Sequence, residues 1–135
     1  MLSLAKAKQA IEAAEKKAQE LGIAVTTAIV DEHGDLIALS RMDGALFISP
    51  DFAITKAFTA AKLRLPTEKL GQFTGEGKPY FGLNTLFSGK LTPMAGGLPI
   101  VIDGKIVGAV GVGGSQDVSQ DAACAQEAKK LLEAE

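Results

Sequence analysis

The sequence predicts an α+β protein in which helices cover both faces of an antiparallel sheet. Asp103-Gly104 separates two β-branched apolar runs, 98–102 and 105–112. Asp-Gly in that position is typical of a tight hairpin turn, because both of its residues must adopt positive φ. A second turn at 32–35 separates strands predicted at 23–31 and 36–42. The first of these strands is apolar on both faces, which favours a sheet with helices on each side.

Length and composition describe one ordinary globular domain. The chain has 135 residues, 47% of them hydrophobic and 22% charged, which is enough to bury a core without disulfides or metals. The net charge of −2 argues against a nucleic-acid partner. A lone cysteine fits a reducing compartment. No apolar run is long enough to span a membrane and no signal peptide is predicted, so we expect a cytoplasmic protein without a membrane partner.

The first two helices have clear start and stop signals. Ser3 is predicted to cap a first helix whose apolar residues recur every three or four positions, and Gly22 is predicted to end it in the left-handed conformation. Ser49 is predicted to cap a second helix, with proline and an acid in its first turn. That helix should run to about Leu65, because Pro66 cannot continue it.

The C-terminal part of the chain predicts a hairpin followed by a last helix. Asp117 and Gln120 have the spacing of a capping box for that helix. Cys124 falls on its apolar face and is predicted to be a small buried hydrophobe. The strand before it contains Gly108 and Gly111, and Gly113 and Gly114 follow directly after that strand. These glycines allow either a neighbouring backbone or a ligand to approach closely.

The segment 71–90 is unusual because it combines many glycines with most of the aromatics. It holds four of the seven aromatic residues, namely Phe73, Tyr80, Phe81 and Phe87. Such a segment either covers an edge of the core or forms the wall of a pocket. After it, Thr92 to Ala95 is predicted to form a short strand that leads into Gly96.

Several common site motifs are absent from the sequence. The glycines from Gly108 onward do not match a dinucleotide fingerprint, because Gln116 stands where the third glycine is required. No Walker loop occurs, and with His33 as the only histidine a histidine-rich metal site is excluded.

One short stretch does predict a binding site. Successive backbone N–H groups at Gly113-Gly114-Ser115 favour an anion such as a carboxylate or phosphate.

The order of short motifs along the chain resembles the GlcG/HbpS-like family, to which the C-terminal domain of PduO-type proteins also belongs. The motifs are Val30-Asp31, Gly34, Arg41-Met42-Asp43-Gly44, Lys56-Ala57, Pro66, Gly96-Gly97-Leu98-Pro99, Gly104, Gly108-Ala109-Val110-Gly111-Val112 and Asp121. The resemblance implies a profilin-like three-layer α/β/α sandwich with a five-stranded antiparallel sheet. It also implies homo-oligomers from dimers to octamers, and heme as a ligand of some members.

The chain departs from the family's heme binders at one position. Those proteins place an axial histidine on the first helix, whereas the helix predicted here has none. The resemblance implies that a later threonine or cysteine serves as the ligand in some members, and Thr92 is the nearest candidate by position. His33 lies in a turn and does not replace the missing histidine.

We predict a binding site where the Gly96-Gly97 turn, the 71–90 segment and the Lys56 face of the second helix meet. The glycines admit a ligand, the aromatics stack on it, and a cation holds its carboxylate. Lys56 is alternatively a solvated helix lysine, and Arg41 alternatively braces its hairpin by pairing with Asp31 or Asp43. The predicted ligand-binding residues are Arg41, Asp43, Lys56, Thr59, Tyr80, Phe81, Thr92, Gly96 and Gly97.

Three functions agree with these residues. The first is a small-molecule-binding protein whose most nameable ligand is heme or a related tetrapyrrole. The second is an enzyme acting on a small carboxylate metabolite, in which Arg41 holds the anion and Lys56 or Asp43 moves a proton. The third is an assembly subunit without a ligand.

Overall fold

A computed structural model describes residues 1–134, and its centre is a four-stranded antiparallel sheet. The strands are β1 (Thr26–Asp31), β2 (Leu36–Arg41), β3 (Gly97–Ile102) and β4 (Lys105–Gly113), in the spatial order β2-β1-β4-β3. The prediction of antiparallel hairpins is confirmed. The prediction of five strands is wrong, because the sheet contains four.

The missing strand is the one predicted at Thr92 to Ala95, which has no regular structure. Pro93 has no N–H, and two other backbone donors of the segment are taken by side chains. The Thr92 N–H donates to Thr59 Oγ1 and the Met94 N–H donates to Thr92 Oγ1, at 3.1 and 3.2 Å. A segment whose N–H groups are already used cannot offer them to a neighbouring strand.

Helices lie on both faces of the sheet, so the molecule has three layers. Helix α1 (Leu4–Leu21) and helix α5 (Val118–Glu133) cover one face, where a core forms around Ile29, Ile100 and Val110. Helix α2 (Ser49–Leu63) covers the other face and packs its alanines against Ala28, Val30 and Ala109. No helix within residues 1–134 combines the length and apolar character needed to cross a membrane.

Glycines in β4 allow α2 to lie directly on the sheet. A Cβ atom at Gly111 would lie 2.1 Å from the carbonyl oxygen of Ala53, and one at Gly113 would lie 2.4 Å from Cβ of Phe52. Either contact is far shorter than packed atoms allow. These two glycines therefore serve the approach of a neighbouring backbone, one of the two roles predicted for them.

Most local signals at chain turns agree with the structure, and two helix starts differ. Asp117 caps α5 as predicted, but Gln120 Oε1 accepts from the Ser115 hydroxyl, so the predicted capping box does not form. Ser3 caps α1 and accepts from the Lys6 N–H, while Gly22 ends the helix at φ 73°. The hairpin residues Asp103 and Gly104 have φ of 51° and 75°. At α2 the cap is Ile48 rather than Ser49, whose hydroxyl lies 2.7 Å from the Thr26 hydroxyl on β1.

The outer edge of β3 is closed by α5. Pro99 has no N–H, and its carbonyl accepts from Lys129 Nζ at 2.7 Å. The Val101 N–H donates to Glu133 Oε2 at 2.8 Å, and the two α5 side chains also pair with each other. Backbone groups that β3 would otherwise present to solvent are therefore bonded to side chains.

Between α2 and β3 the chain forms a series of short turns. They comprise 3₁₀ turns at Thr67–Leu70 and Leu83–Thr85 and the short helices α3 (Gly71–Thr74) and α4 (Leu86–Gly89). Phe87 and Ser88 within α4 have φ of 54° and 57°. Left-handed backbone is costly for residues other than glycine, so the rest of the structure must hold this segment in place.

Candidate functional site

The most deeply buried charges of the molecule are Lys56 on α2 and Asp121 on α5. Lys56 Nζ donates to Asp121 Oδ2 at 3.0 Å and to the Val112 carbonyl on β4 at 2.9 Å. Both charged side chains are 1% exposed. The ammonium thus joins α2, the end of β4 and the start of α5, and Lys56 is not the solvated helix lysine that the sequence allowed.

Burial and pairing act in opposite directions on these two groups. Burial lowers the pKa of Lys56 and the attraction of Asp121 opposes that change. Burial likewise raises the pKa of Asp121, against the attraction of Lys56 and the hydrogen bond from Ser115. Each charge is tolerated in the interior because the other is beside it.

The backbone turn predicted to bind an anion is occupied by the protein's own carboxylate. The Ser115 N–H donates to Asp121 Oδ1 at 3.0 Å, while Oδ2 of the same carboxylate faces Lys56. Asp121 thus takes the position that we predicted for an external carboxylate.

Five of the nine predicted site residues meet around this ion pair. A Cβ atom at Gly96 would lie 2.9 Å from Lys56 Nζ, and one at Gly97 would lie 2.4 Å from the Lys56 carbonyl oxygen. Thr59, one turn along α2, accepts from the Thr92 N–H. Lys56, Thr59, Thr92, Gly96 and Gly97 therefore form one buried junction. Next to Thr92 lies a cleft of about 200 Å³, lined by residues of the 70–93 segment.

Tyr80 and Phe81 lie on the surface of the glycine-rich segment. Their side chains are 53% and 66% exposed. The Tyr80 ring lies 5.9 Å from that of Phe73, and the Tyr80 N–H donates to the Phe73 carbonyl at 2.7 Å. Leu86 and Phe87 of the same segment are also about half exposed. We use the name aromatic surface for the exposed side chains of this segment, namely Phe73, Tyr80, Phe81, Leu86 and Phe87. Exposed apolar groups in such number are typical of surfaces that bind a ligand or another protein.

Arg41 and Asp43 lie outside the buried junction. Arg41 ends β2 and pairs with Thr26 of β1, and its guanidinium lies 5.5 Å from the centre of the exposed Phe47 ring. The predicted proximity of Arg41 to Asp31 does not occur, because the register places them at opposite ends of the hairpin. Asp31 instead accepts from the N–H groups of His33 and Asp35.

Asp121 was not among the predicted site residues, although its position on the last helix indicates a buried role. Asp121 lies on the same face of α5 as Cys124, Ala125 and Ala128, all of them fully buried. A carboxylate on the apolar face of a helix requires a buried partner. Lys56, a cation on a helix otherwise rich in alanine, is that partner.

Comparison with known proteins identifies the family. The family model described as "Haem degrading protein HbpS-like" matches residues 2–130. The chain belongs to this family. The recognition made from the sequence motifs is confirmed.

Relatives of this HbpS-like chain include proteins of similar length and one much longer protein. It is 36% identical to an uncharacterized 15.0 kDa protein of the dhaT-dhaS intergenic region of Citrobacter freundii, covering 94% of this chain and 89% of that one. It is 38% identical to protein GlcG of Escherichia coli K12, covering 83% and 81%. It is 35% identical to the corrinoid adenosyltransferase PduO of Salmonella typhimurium, covering 89% of this chain but 35% of PduO.

Solved structures of the family have the same fold. Protein ORFY of Klebsiella pneumoniae is 34% identical and superimposes with a TM-score of 0.95 over 99% of this chain and 92% of ORFY. A PduOC:heme complex, also 34% identical, superimposes with a TM-score of 0.91 over 96% of this chain and 94% of that one. Heme is thus a ligand of one protein with this HbpS-like fold.

Few side chains of this HbpS-like chain can ligate heme iron. Helix α1 contains no histidine, and His33 is 76% exposed on the β1–β2 turn. Cys124 is fully buried, and burial raises its thiol pKa to about 11, which disfavours the thiolate that binds iron. The Thr92 hydroxyl is almost buried and accepts from Met94. Tyr80 places a phenol, a side chain that ligates heme in some proteins, on the aromatic surface.

Proposed function

We propose that this protein binds heme or a related tetrapyrrole on its aromatic surface. The observation that carries the proposal is its similarity to the PduOC:heme complex, which extends over 96% of the chain at 34% identity. A tetrapyrrole is a broad apolar plane with acidic side chains at one edge. The aromatic surface offers exposed rings of matching character, including Tyr80 and Phe81.

In this proposal Tyr80 would ligate the iron, because α1 has no histidine. A phenolate oxygen is an established axial ligand of heme iron, and this phenol is half exposed among other aromatic side chains. The ligand itself supplies the redox and oxygen chemistry of its iron. The protein's residues bind the macrocycle, orient it and exclude water from one of its faces.

The negative charges of the tetrapyrrole require a cation. Arg41 is exposed and is not among the ion pairs found within residues 1–134. Its guanidinium is therefore available for a propionate, whereas Lys56 is already bonded to Asp121.

The direct test is a titration of the purified protein with hemin, followed at the Soret band. We expect saturable binding at one hemin per chain. Tyr80→Phe should weaken binding and change the band position, because the ring is kept and only the oxygen is lost. His33→Ala is the matched control and should leave both unchanged.

Two outcomes contradict the proposal at different levels. The absence of a saturable spectral change would overturn heme binding itself. If Tyr80→Phe binds hemin like the wild type while His33→Ala does not bind it, heme remains the ligand but its site lies at the β1–β2 turn.

A further inference from the structure

A groove on the outer side of α2 is separate from the buried junction. It has a volume of about 340 Å³ and lies between α2 and the β1–β2 turn. Its apolar lining residues are Val30, Leu36, Ile54 and Phe58, and its polar ones are Asp35, Asp51, Thr55 and Lys90. This volume is within the range of sites for small molecules, and an apolar floor with a few polar groups is typical of them.

Two lysines lie close to the floor of this groove. Lys62 Nζ lies 5.5 Å from the centre of the Phe58 ring, and Lys90 Nζ lies 6.0 Å from the same centre. Neither is among the ion pairs found within residues 1–134. Both ammonium groups therefore lie within about 6 Å of the Phe58 ring centre, and an anionic group bound beside that ring would be attracted by each of them.

A segment beside the groove is held in a costly backbone conformation. The left-handed residues Phe87 and Ser88 direct the chain so that the Phe87 ring meets Phe58 edge-on, with centres 5.3 Å apart. Lys62 Nζ is 5.6 Å from the Phe87 ring, and Lys90 follows three residues later. Strained residues cluster at sites that clamp ligands, and here they precede Lys90, which lines the groove, and include the ring that contacts Phe58.

The β1–β2 turn closes the other side of the groove. Gly34 has a φ of 91°, and a Cβ atom there would lie 3.0 Å from the Phe58 ring and 3.7 Å from Lys62 Cε. The turn backbone is thus in direct contact with the side chains that form the floor. Asp35 and Asp51 add negative charge to the lining, so the groove is cationic at the lysines and acidic elsewhere.

We propose that this groove binds a small organic monocarboxylate with an aromatic or aliphatic body. The body lies on Phe58 and Ile54, and the carboxylate lies between Lys62 and Lys90. Because Asp35 and Asp51 repel a second negative charge, the groove favours a monoanion over a dianion. Phe87, which contacts Phe58 of the groove, also belongs to the aromatic surface, but the test below uses no hemin, so its failure is distinguishable from a failure of heme binding.

The test uses benzoate as the monoanion, phthalate as the dianion and benzylammonium as the cation. In titrations followed by amide NMR, we expect benzoate to bind saturably and to shift the signals of Gly34, Phe58 and Lys90. Phthalate and benzylammonium should bind at least about 10-fold more weakly, since one charge-assisted contact accounts for about a decade in affinity.

Variants decide whether the lysines hold the anion. Lys62→Met and Lys90→Met keep an unbranched apolar side chain but lose the charge, and each should weaken benzoate binding about 5–10-fold. Lys16→Met, at an exposed position on α1, should bind like the wild type. All three should have wild-type melting temperatures, because none of these lysines is in the core.

Three results would overturn the inference. One is the absence of saturable benzoate binding. Another is equal binding of benzoate and benzylammonium, which would leave only an apolar groove. The last is unchanged benzoate affinity in both lysine variants, which would place the carboxylate elsewhere.

Discussion

Lys56 Nζ lies 3.0 Å from Asp121 Oδ2, and neither side chain is more than 1% exposed. The two residues are 65 positions apart in sequence, and their bond holds the second and last helices to the end of the same strand. A buried pair of this kind makes each charge dependent on the other.

Removing one partner of this pair should destabilise the fold severely. We expect Lys56→Met or Asp121→Leu alone to lower the free energy of unfolding by about 3–5 kcal/mol, because the remaining charge is buried without a partner. The double variant should recover much of that loss. Equilibrium unfolding in urea measures all three, and Lys6→Met is the control at an exposed position. If the unfolding free energy of each single variant were within about 1 kcal/mol of the wild-type value, the two buried charges would not depend on each other.

The glycine at position 111 should be irreplaceable for steric reasons. Gly111→Ala forces a Cβ atom to within 2.1 Å of the Ala53 carbonyl oxygen, so α2 must move away from the sheet. We expect a loss of about 1–3 kcal/mol or more in unfolding free energy. The matched control is Gly71→Ala, where the new atom meets nothing within 4 Å and φ is −55°. That substitution should be neutral or slightly stabilising, and an equal loss in both variants would refute the packing argument.

Cys124 should make stability depend on pH in the alkaline range. Burial raises the pKa of its thiol from 9.0 to about 11 in the folded protein. A raised pKa in the folded state means that its contribution is complete below pH 9 and is lost as the pH rises towards 11. Unfolding free energies of wild type and Cys124→Ala, measured from pH 8 to 10.5, should therefore converge. A constant difference across that range would show that the thiol does not titrate differently on folding.

Arg41 should contribute to affinity rather than to stability. If its guanidinium holds a propionate of hemin, Arg41→Ala should weaken hemin binding about 10-fold or more, since charge-assisted bonds contribute about 1.5–3 kcal/mol. The melting temperature should not change, and Lys8→Ala serves as a control for lost positive charge. A lower melting temperature with unchanged affinity would instead make Arg41 a brace of the β-hairpin.

The protein should associate with itself. Phe47 is 90% exposed, and the aromatic surface adds further apolar area, more than a small monomer usually leaves in water. We therefore expect a closed symmetric assembly of at least two copies. Light scattering at tens of micromolar measures this directly, and a species of 14.0 kDa would contradict it.

The parts of the fold that could be predicted are those encoded by neighbouring residues. Positive φ at Asp103-Gly104, the cap at Ser3 and the helix end at Gly22 all follow from a few adjacent side chains. The fifth strand could not be judged in this way. Whether Thr92–Ala95 joins the sheet depends on Thr59, which lies 33 residues earlier and takes the Thr92 N–H.

The candidate site was predictable only in part, for a related reason. Glycines and small polar residues marked the junction around Gly96 and Gly97, so five predicted residues do meet there. The pairing of Lys56 with Asp121 and the approach of Lys62 and Lys90 to one ring arise from tertiary packing. The spacing of residues within a single helix or strand does not indicate such contacts.

Lys129 and Glu133 of α5, which bond to the outer edge of β3, also limit how copies of the protein can join. An open strand edge is a template on which a second chain can extend the sheet, and repeated extension leads to fibres. At β3 that route is closed, because Lys129 and Glu133 use the free backbone groups around a proline. At β2 the ladder is interrupted by an irregularity near Val30, which disfavours regular extension there. The self-association that we predict is therefore expected to use side-chain surfaces, where an assembly can close on itself and stop growing.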